Sequence, residues 1–275
     1  MIQSYFFIPA NRMTFVSKVH TLDADYFIFD MEESVREKDI DLCIENLRTI
    51  GEIKDNYWLR LPTEDCEKYD QIVSAIFEVG FRKILLPKIY TVEQIKSITN
   101  KFPLLEYMLG ILVESAQALV YFSTIAANVP DLRLVMIGSH DFCNEIGCRH
   151  TEENMMYLRQ KLLVECKALS IPIVDYVSTN FSDLKQYQQS CVRANDMGFD
   201  GKAIIHPKQL QAFNEALYYT KDEVIEAKKV MDAIDQLPEG SFATINVDGH
   251  LYESPHLKRL KSIIEWNNKR KYYDI

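Results

Sequence analysis

GFRKILLPK, residues 80–88, joins a Gly-Phe turn to an apolar run that ends on a charged side chain. Glycine stops a helix at no steric cost. A run apolar on both faces suits a parallel strand covered by helices. The same order returns at 198–206 in GFDGKAIIH. Outward from these two stretches, β-branched or aromatic-rich runs predict eight strands: Ser4–Pro9, Tyr26–Met31, Tyr57–Leu61, Lys83–Lys88, Met108–Val113, Leu132–Ile137, Ile171–Val177 and Lys202–His206. Helix-like stretches separate them, among them Glu64–Val79, Thr91–Lys101 and Glu152–Ser170, with Glu93, Glu152 and Glu153 in first turns where negative charge favours the helix. Eight strand–helix alternations predict an α/β fold, a (β/α)8 or TIM barrel, with an open doubly wound sheet as the alternative.

No low-complexity linker divides the 275 residues. Residues 1–220 are expected to form the barrel, and 221–275 a C-terminal extension that is not an independent domain. That extension reads as a helix (Lys221–Leu237), a Gly/Asp-containing segment (Gly240–Pro255) and a terminal helix (His256–Lys269), suited to a lid or an oligomer arm. The basic cluster Lys258, Arg259, Lys261, Lys269, Arg270 and Lys271 reads as helix-end decoration.

The net charge of −9 leaves no basic stripe for phosphates and argues against a nucleic-acid partner. Six scattered cysteines form no CxxC pair, so reduced thiols in the cytoplasm are expected rather than zinc or disulfides. The stretch MIQSYFFIPANR (1–12) does not read as a signal peptide and no apolar run nears the ~20 residues that span a bilayer, so no membrane role is expected. Neither GxGxxG nor GxxxxGK[ST] occurs, which removes the usual support for dinucleotide or Walker-type nucleotide binding.

Polar side chains stand at or just beyond nearly every predicted strand end: Asn11 and Arg12, then Asp30, Glu32 and Glu33, then Arg60, Lys88, Glu114, Asp141, Asp175 and His206. In a barrel these ends converge on one mouth. Charge there costs desolvation unless it is paired or binds something. Arg60 reads equally as the partner of Asp30 or Glu114 in a buried ion pair, Asp175 as a structural acceptor for loop amides, and His206 as a packing residue. His140, beside Asp141, is a further ligand candidate, whereas His20, His150, His250 and His256 read as surface residues. Glu114 and Asp141 project from neighbouring strands, and two hard oxygen ligands with open positions suit Mg²⁺ better than zinc.

The sequence resembles the citrate lyase β-subunit branch of the HpcH/HpaI aldolase family, which includes malyl-CoA and citramalyl-CoA lyases. The motifs run in family order: FFIPANR (6–12), FIFDMEESV (27–35), LRLP (59–62), LLPK (85–88), LVESAQAL (112–119), IGSHDF (137–142), GFDGKAIIHPKQL (198–210) and the lid-like VDGHLYESP (247–255).

The resemblance implies a Mg²⁺-dependent carbon–carbon lyase, acting on a 3-hydroxy acyl thioester or related small acid and releasing a 2-oxo acid. It implies Glu114 and Asp141 as metal ligands, Arg60 as the group that binds the acid and stabilises its oxyanion, and backbone amides around Ser139, His140 and Asp141 as carboxylate donors. Asp30, Glu32 and Glu33 fall near the metal's water shell, and the lid acid Glu253 assists proton transfer across a subunit boundary in a homo-oligomer, a trimer or hexamer. Arg12 and Lys18 are candidate phosphate contacts for a coenzyme A thioester. Departures from the pattern are Gln3 and Ser4 where an arginine is usual, Pro62 for Asn, and Glu33 and Glu253 for Asp. They keep two alternatives in view: a pyruvate-class aldolase on free acids, and a non-catalytic binding member.

Overall fold

The computed structural model describes residues 2–33, 35–102, 107–216, 221–237 and 244–271. It divides into two compact units, Ile2–Ala216 and Leu217–Ile275. In the first, β1 (Gln3–Pro9), β2 (Tyr26–Asp30), β3 (Tyr57–Arg60), β4 (Lys83–Leu86), β5 (Met108–Val113), β6 (Leu132–Ile137), β7 (Ile173–Asp175) and β8 (Gly201–Ile204) pair in chain order. All pairings are parallel, and β8 returns to β1 to close the barrel. The helices are α1 (Met13–Val16), α2 (Ile40–Arg48), α3 (Tyr69–Val79), α4 (Val92–Thr99), α5 (Ala116–Val120), α6 (Phe122–Ala126), α7 (Ser139–Ile146), α8 (Glu152–Ala168), α9 (Leu184–Met197) and α10 (Pro207–Ala216). The predicted (β/α)8 barrel is the observed architecture.

Local chemistry sets the element ends. Gly80 and Gly198, with φ of 103° and 97°, terminate α3 and α9 in the left-handed conformation that glycine adopts freely. Thr91, Ser115, Thr151 and Asp183 cap α4, α5, α8 and α9 through side-chain oxygens. Several predicted elements are shorter than expected, and three of them show why. Residues 64–68 form turns rather than helix, with the Tyr69 amide donating to the Cys66 carbonyl. β7 begins only after Pro172, which has no amide hydrogen to give a ladder. β8 stops at Ile204 because the Ile205 amide donates instead to Gln209 Oε1, 3.2 Å away.

Successive strand residues face opposite sides. Tyr5, Ile28, Trp58, Leu85, Leu112, Leu134, Met136, Val174 and Ala203 fill the barrel as one cluster. Asp175 and Lys202 are one residue out of phase with Val174 and Ala203, so they face the helix layer. There Arg159 of α8 meets Asp175 through two bonds of 3.0 Å, and Lys202 Nζ lies 2.7 Å from Asp175 Oδ2. All three side chains are fully buried. Asp175 therefore receives two cationic side chains, where the sequence reading had assigned it loop amides.

The second unit comprises α11 (Lys221–Asp235), a hairpin of β9 (Thr244–Val247) and β10 (His250–Glu253), and α12 (Ser254–Lys271). Val224, Ala227, Val230, Leu260 and Ile263 form its core. The hairpin turn uses Asp248 and Gly249 at φ of 53° and 85°, the conformation that a two-residue connection demands. The first part of the Gly240–Pro255 segment, residues 240–243, lies outside the described residues. Lys258, Arg259 and Lys261 fall within α12 rather than at its end, and Arg259 pairs with Glu223 of α11 at 3.4 Å. The side chains of Lys269, Arg270 and Lys271 lie outside the description. Among the described residues no helix is long and apolar enough to cross a membrane. The six cysteines are free thiols.

Removing Asp175 would leave Arg159 and Lys202 buried without their carboxylate. Asp175→Ala is expected to lower the unfolding free energy by about 3–5 kcal/mol, measured by urea denaturation; a loss under about 1 kcal/mol would contradict a buried, paired cluster.

Candidate active site

Strand parity that sends Asp175 outward sends another set inward. Asp30, Arg60, Glu114 and Gly138 each stand two residues beyond an interior core residue, namely Ile28, Trp58, Leu112 and Met136. They therefore share the C-terminal mouth of the barrel, where (β/α)8 proteins gather their functional groups. Cross-strand register then sets Asp30 directly beside Arg60.

Arg60 donates from Nε to Asp30 Oδ1 at 2.6 Å and from Nη2 to Asp30 Oδ2 at 2.8 Å, a two-pronged pairing that fixes the guanidinium plane. Its Nη1 lies 3.1 Å from Glu32 Oε2, and its central carbon lies 5.1 Å from the centre of the Phe7 ring. Burial alone would discourage the charged guanidinium, but Asp30 and Glu32 outweigh it and its pKa is raised. Glu32 also reaches Lys88 Nζ at 2.9 Å, so one carboxylate ties the ends of β2, β3 and β4 together. The Arg60–Asp30 pair realises one of the two pairings that the sequence left open.

Glu114 follows β5 and is 6% exposed. Its Oε1 accepts the Lys88 amide at 2.5 Å. Gly138 makes room for it, because a Cβ at that position would lie 2.5 Å from Glu114 Oε2. Burial pushes the Glu114 carboxyl up to about 7; the Lys88 amide opposes this, and Glu32 and Asp141 reinforce it. Asp141 is half-buried in the first turn of α7. Glu33 is exposed, and its pKa is raised by partial desolvation and by Glu32 and Asp141.

Ser139 and His140 open α7. Ser139 Oγ lies 2.7 Å from His150 Nε2. His150 corrects the surface reading given above. It is half-buried and stacks on His140 with ring centres 4.2 Å apart, and desolvation and His140 lower its pKa. A histidine just before a capped helix gives no sequence signal of that stacking. His206 packs on Phe181 and its Nδ1 accepts the Lys208 amide, as a packing residue should. Arg12 and Lys18 are exposed after β1. Glu253 lies on β10 in the second unit.

Asp30, Glu32, Glu33, Glu114 and Asp141 bring five carboxylates to one mouth against two cations, Arg60 and Lys88. Among the described residues no three His, Cys, Asp or Glu side chains converge closely enough to hold a metal by themselves. The donor set is thus hard oxygen, anionic in excess and sparse, which suits Mg²⁺ that keeps water or substrate in its remaining positions.

Comparison with known proteins bears on this arrangement. The family model for HpcH/HpaI aldolase/citrate lyase matches residues 3–207. A (3S)-malyl-CoA thioesterase of Cereibacter sphaeroides is 28% identical over 93% of this chain and 90% of its own. The citrate lyase subunit beta of Leuconostoc mesenteroides is 24% identical over 98% of this chain and 94% of its own. The fold matches protein CitE from Mycobacterium tuberculosis, solved in complex with magnesium, acetoacetate and coenzyme A. Its TM-score is 0.80 at 21% identity, covering 96% of this chain and 97% of that one.

A buried carboxyl raised from 4.5 to about 7 contributes stability that is complete below pH 4.5 and is lost as pH rises through 7. Glu114→Gln does not ionise. In EDTA its stability relative to the parent should rise by about 2–3 kcal/mol between pH 5 and pH 8, measured by urea unfolding. A flat difference, or one of opposite sign, would show that Glu114 is not desolvated in this way.

Proposed function

The chain belongs to the HpcH/HpaI aldolase/citrate lyase family, and on that premise we propose a Mg²⁺-dependent carbon–carbon lyase of citrate lyase β-subunit type. Its substrate is a 3-hydroxy acyl thioester, and its products are a 2-oxo acid and the shortened acyl thioester. The observation that carries this reading is Glu114, a buried carboxyl of raised pKa among further carboxylates beside a fixed guanidinium.

In the cleavage, a base removes the proton of the substrate hydroxyl. Its oxygen becomes the carbonyl of the 2-oxo acid as the adjacent C–C bond breaks. The electron pair stays on the acyl fragment as an enolate, which is then protonated. Glu114 and Asp141 are the residues proposed to hold Mg²⁺, which when bound supplies Lewis-acid stabilisation of negative charge on the acid's oxygens. Arg60 is oriented by Asp30, which has both oxygens engaged with it, so Asp30 acts through Arg60. The guanidinium is then a preorganised donor that costs no reorientation during the reaction.

The first-turn amides of α7 at Ser139, His140 and Asp141 supply donors for the acid's carboxylate. Glu33, exposed and with a raised pKa, is the candidate for moving the hydroxyl proton. Glu253 is the second candidate acid, supplied by a neighbouring copy in a homo-oligomer. Arg12 and Lys18, exposed after β1, are the candidate phosphate contacts of coenzyme A. The (3S)-malyl-CoA thioesterase relative favours a second reading, in which the same site hydrolyses the hydroxyacyl thioester in place of breaking the C–C bond.

Glu114→Ala is expected to abolish both Mg²⁺ binding by calorimetry and cleavage of citramalyl-CoA or malyl-CoA; retained turnover would defeat the metal assignment. Arg60→Lys keeps the charge but loses the two-pronged pairing, and kcat should fall ~10²–10³-fold. Following free thiol and 2-oxo acid separately distinguishes the readings, since hydrolysis without 2-oxo acid release would replace the lyase.

A further inference from the structure

Lys88 has φ of 50°, in the left-handed region that a long side chain seldom occupies. That turn aims the Lys88 amide at Glu114 Oε1, 2.5 Å away. An unfavourable backbone conformation persists only where neighbours hold it, and the neighbour here is Gln94 of α4. Its Nε2 donates to the Lys88 carbonyl at 2.9 Å, and its Oε1 accepts the Tyr90 amide at 2.9 Å. Its own amide donates to the Thr91 cap at 3.1 Å.

One planar amide therefore grips the turn on both sides of Ile89. A glutamate in the same place would serve as an N-terminal helix partner equally well, since that role needs only an acceptor. Only an amide can also donate to a carbonyl. The choice of Gln over Glu therefore belongs to the Lys88 carbonyl rather than to the helix.

We propose that Gln94 is a positioning residue for the metal-binding carboxylate. By locking Lys88 in its left-handed turn it holds the amide that restrains Glu114 through Oε1, leaving Oε2 to face a cation. This rests on the reading of Glu114 as a Mg²⁺ ligand. Gln94 touches neither substrate nor metal. Its contribution is to fix one oxygen of Glu114 before the ion arrives, so that binding does not also have to order that side chain.

The test is Gln94→Glu. The substitution keeps the acceptor for Tyr90 and the Thr91 cap, removes the donor, and sets a carboxylate oxygen against the Lys88 carbonyl. Titration of the holo-competent full chain with MgCl₂ by calorimetry should show affinity about three- to tenfold weaker than the parent. The metal-free melting temperature should fall by only about 2–4 °C, so that the variant stays folded. Hydrogen exchange at the Lys88 amide in EDTA should accelerate, a change that a role confined to helix capping would not cause. Parent-like Mg²⁺ affinity together with an unchanged Lys88 exchange rate would overturn the inference while leaving the metal reading intact. A parent protein that takes up no Mg²⁺ would remove both, and that outcome is recognisable before any variant is made.

Discussion

Closing eight parallel strands into a ring leaves a single inner face, and the two-residue alternation of a strand decides which side chains reach it. That constraint governs the molecule. Two steps beyond the packed interior of Ile28, Trp58, Leu112 and Met136 stand Asp30, Arg60, Glu114 and Gly138, at the one level where the barrel opens. A one-residue slip in any of these strands would exchange a functional group for a hydrophobic one. The site is therefore inseparable from the packing beneath it.

Two ionic clusters show what the alternation does with similar residues. Arg159, Asp175 and Lys202 lie under the helices with no exposure, two cations around one carboxylate. Asp30, Glu32, Glu33, Glu114 and Asp141 lie at the mouth around two cations, and burial and mutual repulsion raise the pKa of Glu114. The first cluster is sealed and, with Glu152 4.0 Å from Arg159 Nη1, matches each cation with a carboxylate, which is the character of a structural joint. The second carries surplus negative charge at the barrel mouth, where carboxylates cost desolvation unless something pairs with them.

Within that mouth the restraints are layered. Asp30 fixes Arg60 through both oxygens, Glu32 joins Arg60 to Lys88, and the Lys88 turn joins Glu114 to α4. Gly138 contributes by lacking a side chain where Glu114 needs the space. Such a frame keeps charge oriented before substrate arrives, which is where electrostatic catalysis gains most. His150, stacked on His140 and bonded to Ser139, steadies the start of α7 in the same manner.

The order of apolar runs and helix stops in the sequence was enough to determine eight covered parallel strands and to favour a barrel, because such strands must be apolar on both faces and glycine at 80 and 198 marks where helices end. That β8 closes on β1 rather than leaving an open sheet was decided by the tertiary structure. The sequence also determined that Asp30, Arg60, Glu114 and Asp141 belong to one end, since strand ends converge in any such barrel. Which of the polar residues were structural was decided only by tertiary structure. Asp175 looked like Asp30 along the chain, yet it faces the other way by one residue, and the register that tells them apart is set by pairing with distant strands. His150 and Gln94 carried no local mark, because each is defined by a partner brought near through folding: Ser139 and His140 for one, the strained carbonyl of Lys88 for the other.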